Sequence, residues 1–401
     1  MAIDGVDAVV VGGAIGGLTT ALLLAETGAS VTLLERVHRP QAIGAGLLLQ
    51  PNGLAVLAGL SLGAELERCG HRVAGGAIRD AAGRALVKVS LPEWDGFGHV
   101  LALRRSRLFE VLMRAAEAHP GIVVRLGAEV VAAHPDGAVE LHWRDRLTTI
   151  EADLVVGADG VGSTVRSGGD FGAGVRSTGT AYVRGLVPER RDGIEGEYWT
   201  PLGLFGGAPV GDGSTYFYAS VSAPPVAAAM ARRDLTAFIG AWAEVLPQAA
   251  GVLAGLASFE ELLVNEVVRV DCERWSDGRL VLVGDAAHAM APTLGQGANS
   301  ALVDAAVLVA ELAADQSQAG ALSAYGARRQ PAVRRVQDAA DRLARLSAVA
   351  GPRRRGLRDA SLRLLDRAAW VGARQARMAQ QEAPAWLYST VRALRASGAR
   401  P

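Results

Sequence analysis

Apolar and polar positions along the chain fall into stretches of two different periods. Asp7-Ala8-Val9-Val10-Val11 is a short β-branched run closed by glycines. Residues 18–25 are small and apolar enough for a buried helix, and Val31-Thr32-Leu33-Leu34 repeats the strand signal. Together they predict a strand-helix-strand unit of about 30 residues. Similar runs recur at Val123-Val124-Arg125-Leu126, Leu154-Val155-Val156 and Leu280-Val281-Leu282-Val283, the last two each followed by glycine and shortly by aspartate. Between them, glycine-rich turns and alternating stretches such as Thr215-Tyr216-Phe217-Tyr218 predict an inserted, mostly antiparallel sheet. After Leu302, apolar residues three and four apart (Val307, Leu308, Leu312, Leu343, Leu346) predict helix almost to the end, broken at Pro331, Pro352 and Pro384. The expected fold is α/β with an α+β insert. A discontinuous parallel-sheet domain takes 1–170 and 276–340, a sheet domain takes 171–275 with part of 70–105, and 341–401 form a C-terminal helical segment.

Composition narrows the class. The 401 residues carry 41 basic and 41 acidic side chains, so no global field for nucleic acid exists. Lys88 is the only lysine, and the arginines thicken after Arg328 in a way that suits helix surfaces packed across the two domains. Cys69 and Cys272 stand apart from each other and from any metal-ligand spacing, which predicts reduced structural thiols and no metal. No apolar run is read as reaching the roughly 18 residues of a membrane span, and Ile3-Asp4-Gly5-Val6-Asp7 lacks the basic start of a secretion signal. A cytoplasmic enzyme acting on a small molecule, as monomer or homodimer, is the expectation.

The candidate chemistry begins at Gly12-Gly13-Ala14-Ile15-Gly16-Gly17, where a strand becomes a helix, with Glu35 closing the next strand. Gly12 permits the tight turn, bare backbone lets N–H groups approach a pyrophosphate at the helix N-terminus, and Gly17 allows close helix-to-strand packing. Glu35 would accept hydrogen bonds from a ribose. Ala14 stands where the strict fingerprint has its second glycine. This Rossmann-like motif does not by itself separate NAD from FAD.

Two further turns make that choice. They are Gly157-Ala158-Asp159-Gly160-Val161-Gly162-Ser163-Thr164-Val165-Arg166, and the run from Gly284-Asp285 through Pro292-Thr293-Leu294-Gly295-Gln296-Gly297-Ala298-Asn299. Asp285, just past a buried strand, is placed to hold a ribityl hydroxyl. The Gly295-Gln296-Gly297 turn and the helix after it direct N–H groups at a polarised flavin carbonyl. In these three motifs, in their order over about residues 7 to 340, the chain resembles the flavoprotein aromatic hydroxylases of the para-hydroxybenzoate hydroxylase type. The resemblance implies FAD held by Gly12, Ala14, Ile15, Gly17, Glu35, Arg36, Gly46, Arg105, Val130, Asp159, Asp285, Pro292, Gly295, Gly297, Ala298 and Asn299. Arg105 matches the arginine of the family's His-Arg-x-x-Leu segment, with Arg104 in place of the histidine. Gly44 and Gly46 belong to the strand beside the flavin ring and leave room for it, Asn52 caps the next helix, and Pro292 borders the ring face where oxygen reacts. His288 reads as a structural histidine.

The resemblance further implies an activity. NAD(P)H binds transiently, without a second nucleotide domain, and reduces the flavin; dioxygen adds at C4a, and the resulting hydroperoxide hydroxylates or epoxidises a small electron-rich aromatic or polyketide-like substrate. Tyr216 and Tyr218, on one face of an inserted strand, are candidates for the base that deprotonates the substrate, with Arg184 as a further substrate contact. Competing readings keep the fold and drop the oxygenation: a reductase, or an FAD-structured cyclase or binding protein. A plain NAD dehydrogenase would be colourless.

Overall fold

The computed structural model describes residues 3–39, 45–90, 96–190, 194–314, 317–367 and 376–398. A six-stranded sheet runs in the order Ser276–Asp277, Leu280–Leu282, Leu154–Gly157, Asp7–Val11, Ser30–Glu35, Ile122–Leu126. Its last five strands are parallel, and Ser276–Asp277 adds an antiparallel edge. The inner strands are apolar because both faces of the sheet are buried; Val9, Val10 and Val11 are buried, as are Leu154, Val155 and Val156, in one core with Val130, Val139 and Leu141. Register sets Val11 beside Leu34 and Gly157, and Gly157 beside Leu282. The turns after these strands therefore open at one edge of the sheet.

The insert forms a seven-stranded sheet in the order Leu263–Asp271, Gly174–Val187, Thr215–Ser220, Gly203–Pro209, Gly196–Thr200, Gly75–Asp80, Ala85–Ser90. All its pairings are antiparallel except that of Gly196–Thr200 with Gly75–Asp80. Along Thr215–Ser220 the period of two divides the residues: Phe217 and Ala219 join a core with Phe238 and Trp242, while Tyr216 and Tyr218 face the other way. That core contains three helices that periodicity had not indicated, Pro224–Ala231, Leu235–Val245 and Pro247–Leu253. Their starts were written in the chain. Proline opens the first and third, and the Asp234 side chain accepts a hydrogen bond from the Ala237 N–H at the start of the second. Two three-stranded sheets complete the fold: Arg146–Glu151, Ala138–Trp143, Glu129–Ala133, and Gly46–Leu49, Val100–Arg104, His71–Val73.

Two expectations need correction. Pro331 does not separate helices; it lies inside Gln318–Ser347, a single helix of 30 residues, on an exposed position. Pro352 and Pro384 do open helices, Pro352–Asp366 and Pro384–Gly398. An apolar run of membrane-spanning length also exists, since Gly297–Ala314 has 18 residues and a mean hydropathy of 1.4. It is 67% buried among other elements and carries the fully buried Asp304, so it is built as a core helix.

The C-terminal segment touches the seven-stranded sheet and the helices beside the parallel sheet. Arg358 lies over the Trp199 ring and Arg363 donates to Asp80, whereas Pro384–Gly398 packs against Pro51–Gly59. The proline at 331 leaves one carbonyl of its helix without a donor. Replacing it (Pro331→Ala) is expected to stabilise the protein by about 2 kcal/mol, the recovered bond outweighing the looser unfolded chain. Urea unfolding measures this, and a destabilised variant would show that the helix is bent to suit proline.

Candidate active site

The turns after the parallel strands, the Gly46–Leu49 strand and the tyrosine face of the inserted sheet enclose one cavity of about 820 Å³. Gly12, Ala14 and Ile15 line it from the first motif. Ala14 caps the helix Ile15–Glu26 without a side-chain hydrogen bond, and the first turn has no acid, so its N–H groups are free for an anion. Gly17 does not line the cavity: a Cβ there would stand 1.9 Å from the Gly12 carbonyl, which makes it a packing residue. Glu35, Arg36 and Val130 line the far end. Glu35 also orders the turn itself, accepting from the Gly13 N–H at 2.8 Å and the Val37 N–H at 2.9 Å.

Asp159, from the second motif, accepts from the N–H groups of Thr164 and Val165 through Oδ2, while its buried Oδ1 has no partner. Burial raises its pKa. Arg166 fixes this turn to the third motif by donating to the carbonyls of Val161 and Ala286. Asp285 follows the buried Val283-Gly284 and is exposed into the cavity, which Pro292, Gly295, Gly297 and Ala298 also line. Asn299 does not. Its side chain accepts from the Gln50 N–H and donates to the carbonyls of Leu48 and Gly295, so it is a clamp between strand and turn. Asn52 is not the N-cap, which is Gln50; it is buried inside the first turn, its Oδ1 accepting the Gly53 N–H at 2.9 Å and its Nδ2 donating to Gln296 and to the Gln380 carbonyl. His288 is buried against Asp304 at 2.5 Å and stacked on Trp275, away from the cavity.

The opposite wall comes from the insert. Arg105 starts the helix Arg105–Ala118, and its guanidinium is drawn below its ordinary pKa by burial and then by Arg184, against Asp285 and Tyr216. Arg184 donates to Asn265 at 2.6 Å, and its charge, with that of Arg105, acts on the Tyr216 phenol against the effect of burial. The Tyr216 and Tyr218 rings lie 5.7 Å apart. Gly46 lines the cavity, and the space its side chain would take holds the Tyr216 ring, 2.2 Å from an added Cβ. Gly44 lies outside the described residues.

A family model described as the FAD binding domain matches residues 5–340. The chain is 35% identical over 350 residues to 3-amino-4-hydroxybenzoate 2-monooxygenase of Streptomyces cremeus, a match covering 84% of this chain and 86% of that one. To aurachin C monooxygenase/isomerase of Stigmatella aurantiaca it is 31% identical over 331 residues, 80% and 85% of the two chains. The chain belongs to the FAD-dependent aromatic monooxygenases. Among solved structures, the tetrameric form of 2-methyl-3-hydroxypyridine-5-carboxylic acid oxygenase superposes with a TM-score of 0.73 at 28% identity, covering 86% of this chain and 93% of the other.

The residues of this monooxygenase suit FAD on their own chemistry: an uncapped helix start, an Asp159 oxygen with no hydrogen-bond partner among the described residues, an exposed Asp285 lining the cavity, and free space where side chains would extend from Gly160, Gly162 and Gly297. Burial above all raises the pKa of both phenols, Tyr218 well above the ordinary value, while Arg184 and Arg105 act the other way on Tyr216.

Sequence reasoning missed Glu197. Its carboxyl is buried behind the wall, accepting from Trp199 Nε1 at 2.5 Å and the Tyr218 hydroxyl at 3.2 Å. Burial outweighs both bonds and pushes its pKa up from 4.5 to about 7. A strand position between Gly196 and Tyr198 is the only signal the chain carried, and it reads like any exposed strand acid.

Because the folded carboxyl keeps its proton to higher pH than the unfolded one, the native state binds the extra proton between about pH 4.5 and 7, and stability falls as pH rises through that window. The loss is on the order of 2–3 kcal/mol. Thermal unfolding followed from about pH 5 to about pH 8 should decline less for Glu197→Gln than for wild type; parallel curves would show that Glu197 stays charged.

Proposed function

We propose that this monooxygenase takes electrons from NAD(P)H and uses dioxygen to hydroxylate or epoxidise a small, electron-rich aromatic ring carrying an anionic or hydroxyl group. The observation that carries this reading is the facing of two walls across one cavity. The turns bearing Asp285 and Pro292 stand on one side, and Arg105, Arg184 and Tyr216 on the other. Two guanidinium groups held close in a buried site repel each other, and a carboxylate or phenolate between them relieves that cost. The relatives named for 3-amino-4-hydroxybenzoate and for a hydroxypyridine carboxylic acid have substrates of this chemistry.

In this reading 1–170 and 276–340 hold FAD, and 171–275 with strands from 70–105 supply the substrate wall. The free N–H groups at Ala14, Ile15 and Gly16 take the pyrophosphate, Glu35 the adenosine ribose, and Asp285 the ribityl chain. Bound FAD supplies the electron transfer from nicotinamide to oxygen and the oxygen insertion. The chain's residues orient and desolvate the reactants: Arg184 and Tyr216 hold the substrate's polar group, and Pro292 with Leu204 on the insert side closes the space between ring and substrate to water. The protein works as a monomer or homodimer in the cytoplasm, where NAD(P)H is supplied.

The test is a visible spectrum of the purified protein, then oxidation of NADH and of NADPH with aminohydroxybenzoates, hydroxypyridine carboxylates and quinolones, each product weighed for an added oxygen atom. Nicotinamide oxidation that yields only peroxide with every ring compound would favour a reductase. Asp285→Ala should weaken FAD retention about tenfold or more through loss of a charge-assisted hydrogen bond; a variant that keeps full flavin on dilution would remove Asp285 from the site. Arg184→Gln is expected to raise KM for an acidic substrate about tenfold while leaving FAD content intact, and an unchanged KM would place the substrate elsewhere.

A further inference from the structure

Behind the cofactor turns lies a buried polar network that the site as described does not use. Gln296 stands between Gly295 and Gly297, which both line the cavity, yet its own side chain turns inward and is 1% exposed. Two glycines give this turn little stiffness of its own, and Gly295 has a φ of 61°. What holds it is the Gln296 Oε1, which accepts from Asn52 Nδ2 at 3.1 Å and from Gln381 Nε2 at 3.2 Å. The neighbouring Gln380 fixes Asn52 in turn, taking its N–H on the side-chain oxygen and its Nδ2 on the backbone carbonyl.

A second limb leaves Gln381 in another direction. Its Oε1 accepts from Arg329 Nη2 at 2.6 Å, Arg329 Nε donates to Asp304 at 2.7 Å, and the other Asp304 oxygen accepts the Gly284 N–H at 3.0 Å. Gly284 lines the cavity immediately before Asp285 and has φ 61° and ψ −141°, a conformation only glycine adopts readily. Arg329 and Asp304 are both fully buried, so each bond is made in a medium where an unmet partner is costly. Gln381 also donates to Ser300 Oγ at 2.7 Å. It does all this from a left-handed backbone, φ 65°, that a residue with a side chain occupies only at a cost.

We propose that Gln381, supported by Gln380, is a positioning residue for the flavin: one side chain from beyond the region matched by the family model sets both turns of the third motif. The segment is clamped where it must be. Glu382 receives two bonds from Arg328, whose guanidinium lies 3.9 Å over the Trp386 ring, and Val391 fits against the bare backbone of Gly59. Arg395 reaches Glu26, at the end of the helix that begins at the first glycine motif.

This inference rests on the cavity being the FAD site. A yellow wild-type protein keeps that reading whatever the variants do, so the two fail separately. Two substitutions test it. Gln381→Gly keeps the left-handed angle without strain and removes both limbs, and Gln381→Glu keeps an acceptor for Arg329 but can no longer donate to Gln296 and Ser300. The exposed Arg392→Ala, on the helix that follows, is the control.

The deciding readouts are the reduction potential and visible bands of bound flavin, with FAD affinity from fluorescence on dilution. The N–H groups of Gln296 and Gly297 would favour the reduced cofactor, the Gly295 N–H being donated to the Pro292 carbonyl, so a loosened turn should weaken FAD binding about tenfold. It should also make the potential more negative, by about 30 mV for each tenfold loss of preference for the reduced form. Unchanged potential and bands in both Gln381 variants would overturn the proposal, even if thermal stability falls, because a merely structural glutamine would lower stability and leave the bound flavin's electronics alone.

Discussion

The register of the parallel sheet is the constraint from which the site follows. Val11, Leu34, Gly157 and Leu282 end side by side in strands buried on both faces, so the turns that leave them have no freedom to drift apart. Helix packing reinforces this. Gly17 lies against the Gly12 carbonyl, and Gly16 sits 3.2 Å, measured to an added Cβ, from Ala301 of the helix Gly297–Ala314. The two helices whose N-termini face the cavity are thus braced against each other through glycines, and the rigidity of the core passes to the turns without a dedicated scaffold.

The electrostatics of the cavity are arranged in the same economical way. One end presents uncapped N–H groups and no acid in the first helical turn, the middle presents Asp285, and the facing side presents Arg105, from the start of the helix Arg105–Ala118, and Arg184 of the insert, beside phenols whose pKa burial raises. Glu197, behind Tyr218, has its pKa pushed up to about 7 by burial, so its charge at the back of that wall is lost as pH falls through that value.

The parallel strands and the three glycine-acid turns were legible because each depends on local chemistry: β-branched runs, bare backbone at a helix start, an acid just past a strand. The tyrosine face of the inserted sheet was legible by alternation, which put Tyr216 and Tyr218 on one side. What stayed hidden depends on partners far along the chain. Asn299 looked like a cofactor contact until its three bonds to Gln50, Leu48 and Gly295 were visible. Gly46 looked like room for a ring, and the ring it admits is Tyr216. Pro331 obeyed a local rule that the tertiary packing of Gln318–Ser347 overrode. Gln381 and Glu197 have no local signature at all, since an exposed glutamine and an exposed strand acid read the same as buried ones.

These long-range contacts also join the two walls. Tyr216 seats its ring on Gly46, the strand from Gly46 runs on to Gln50, and the Gln50 N–H is held by Asn299, whose other bond fixes the Gly295 carbonyl. A change in the ring position of Tyr216 therefore has a continuous path to the flavin-side turn through one short strand and one amide. The same turn is held from behind by Gln296. It is thus clamped from two sides, by the tyrosine face of the inserted sheet through Asn299 and by the C-terminal segment through Gln381, and a shift imposed by one clamp must be resisted or accepted by the other.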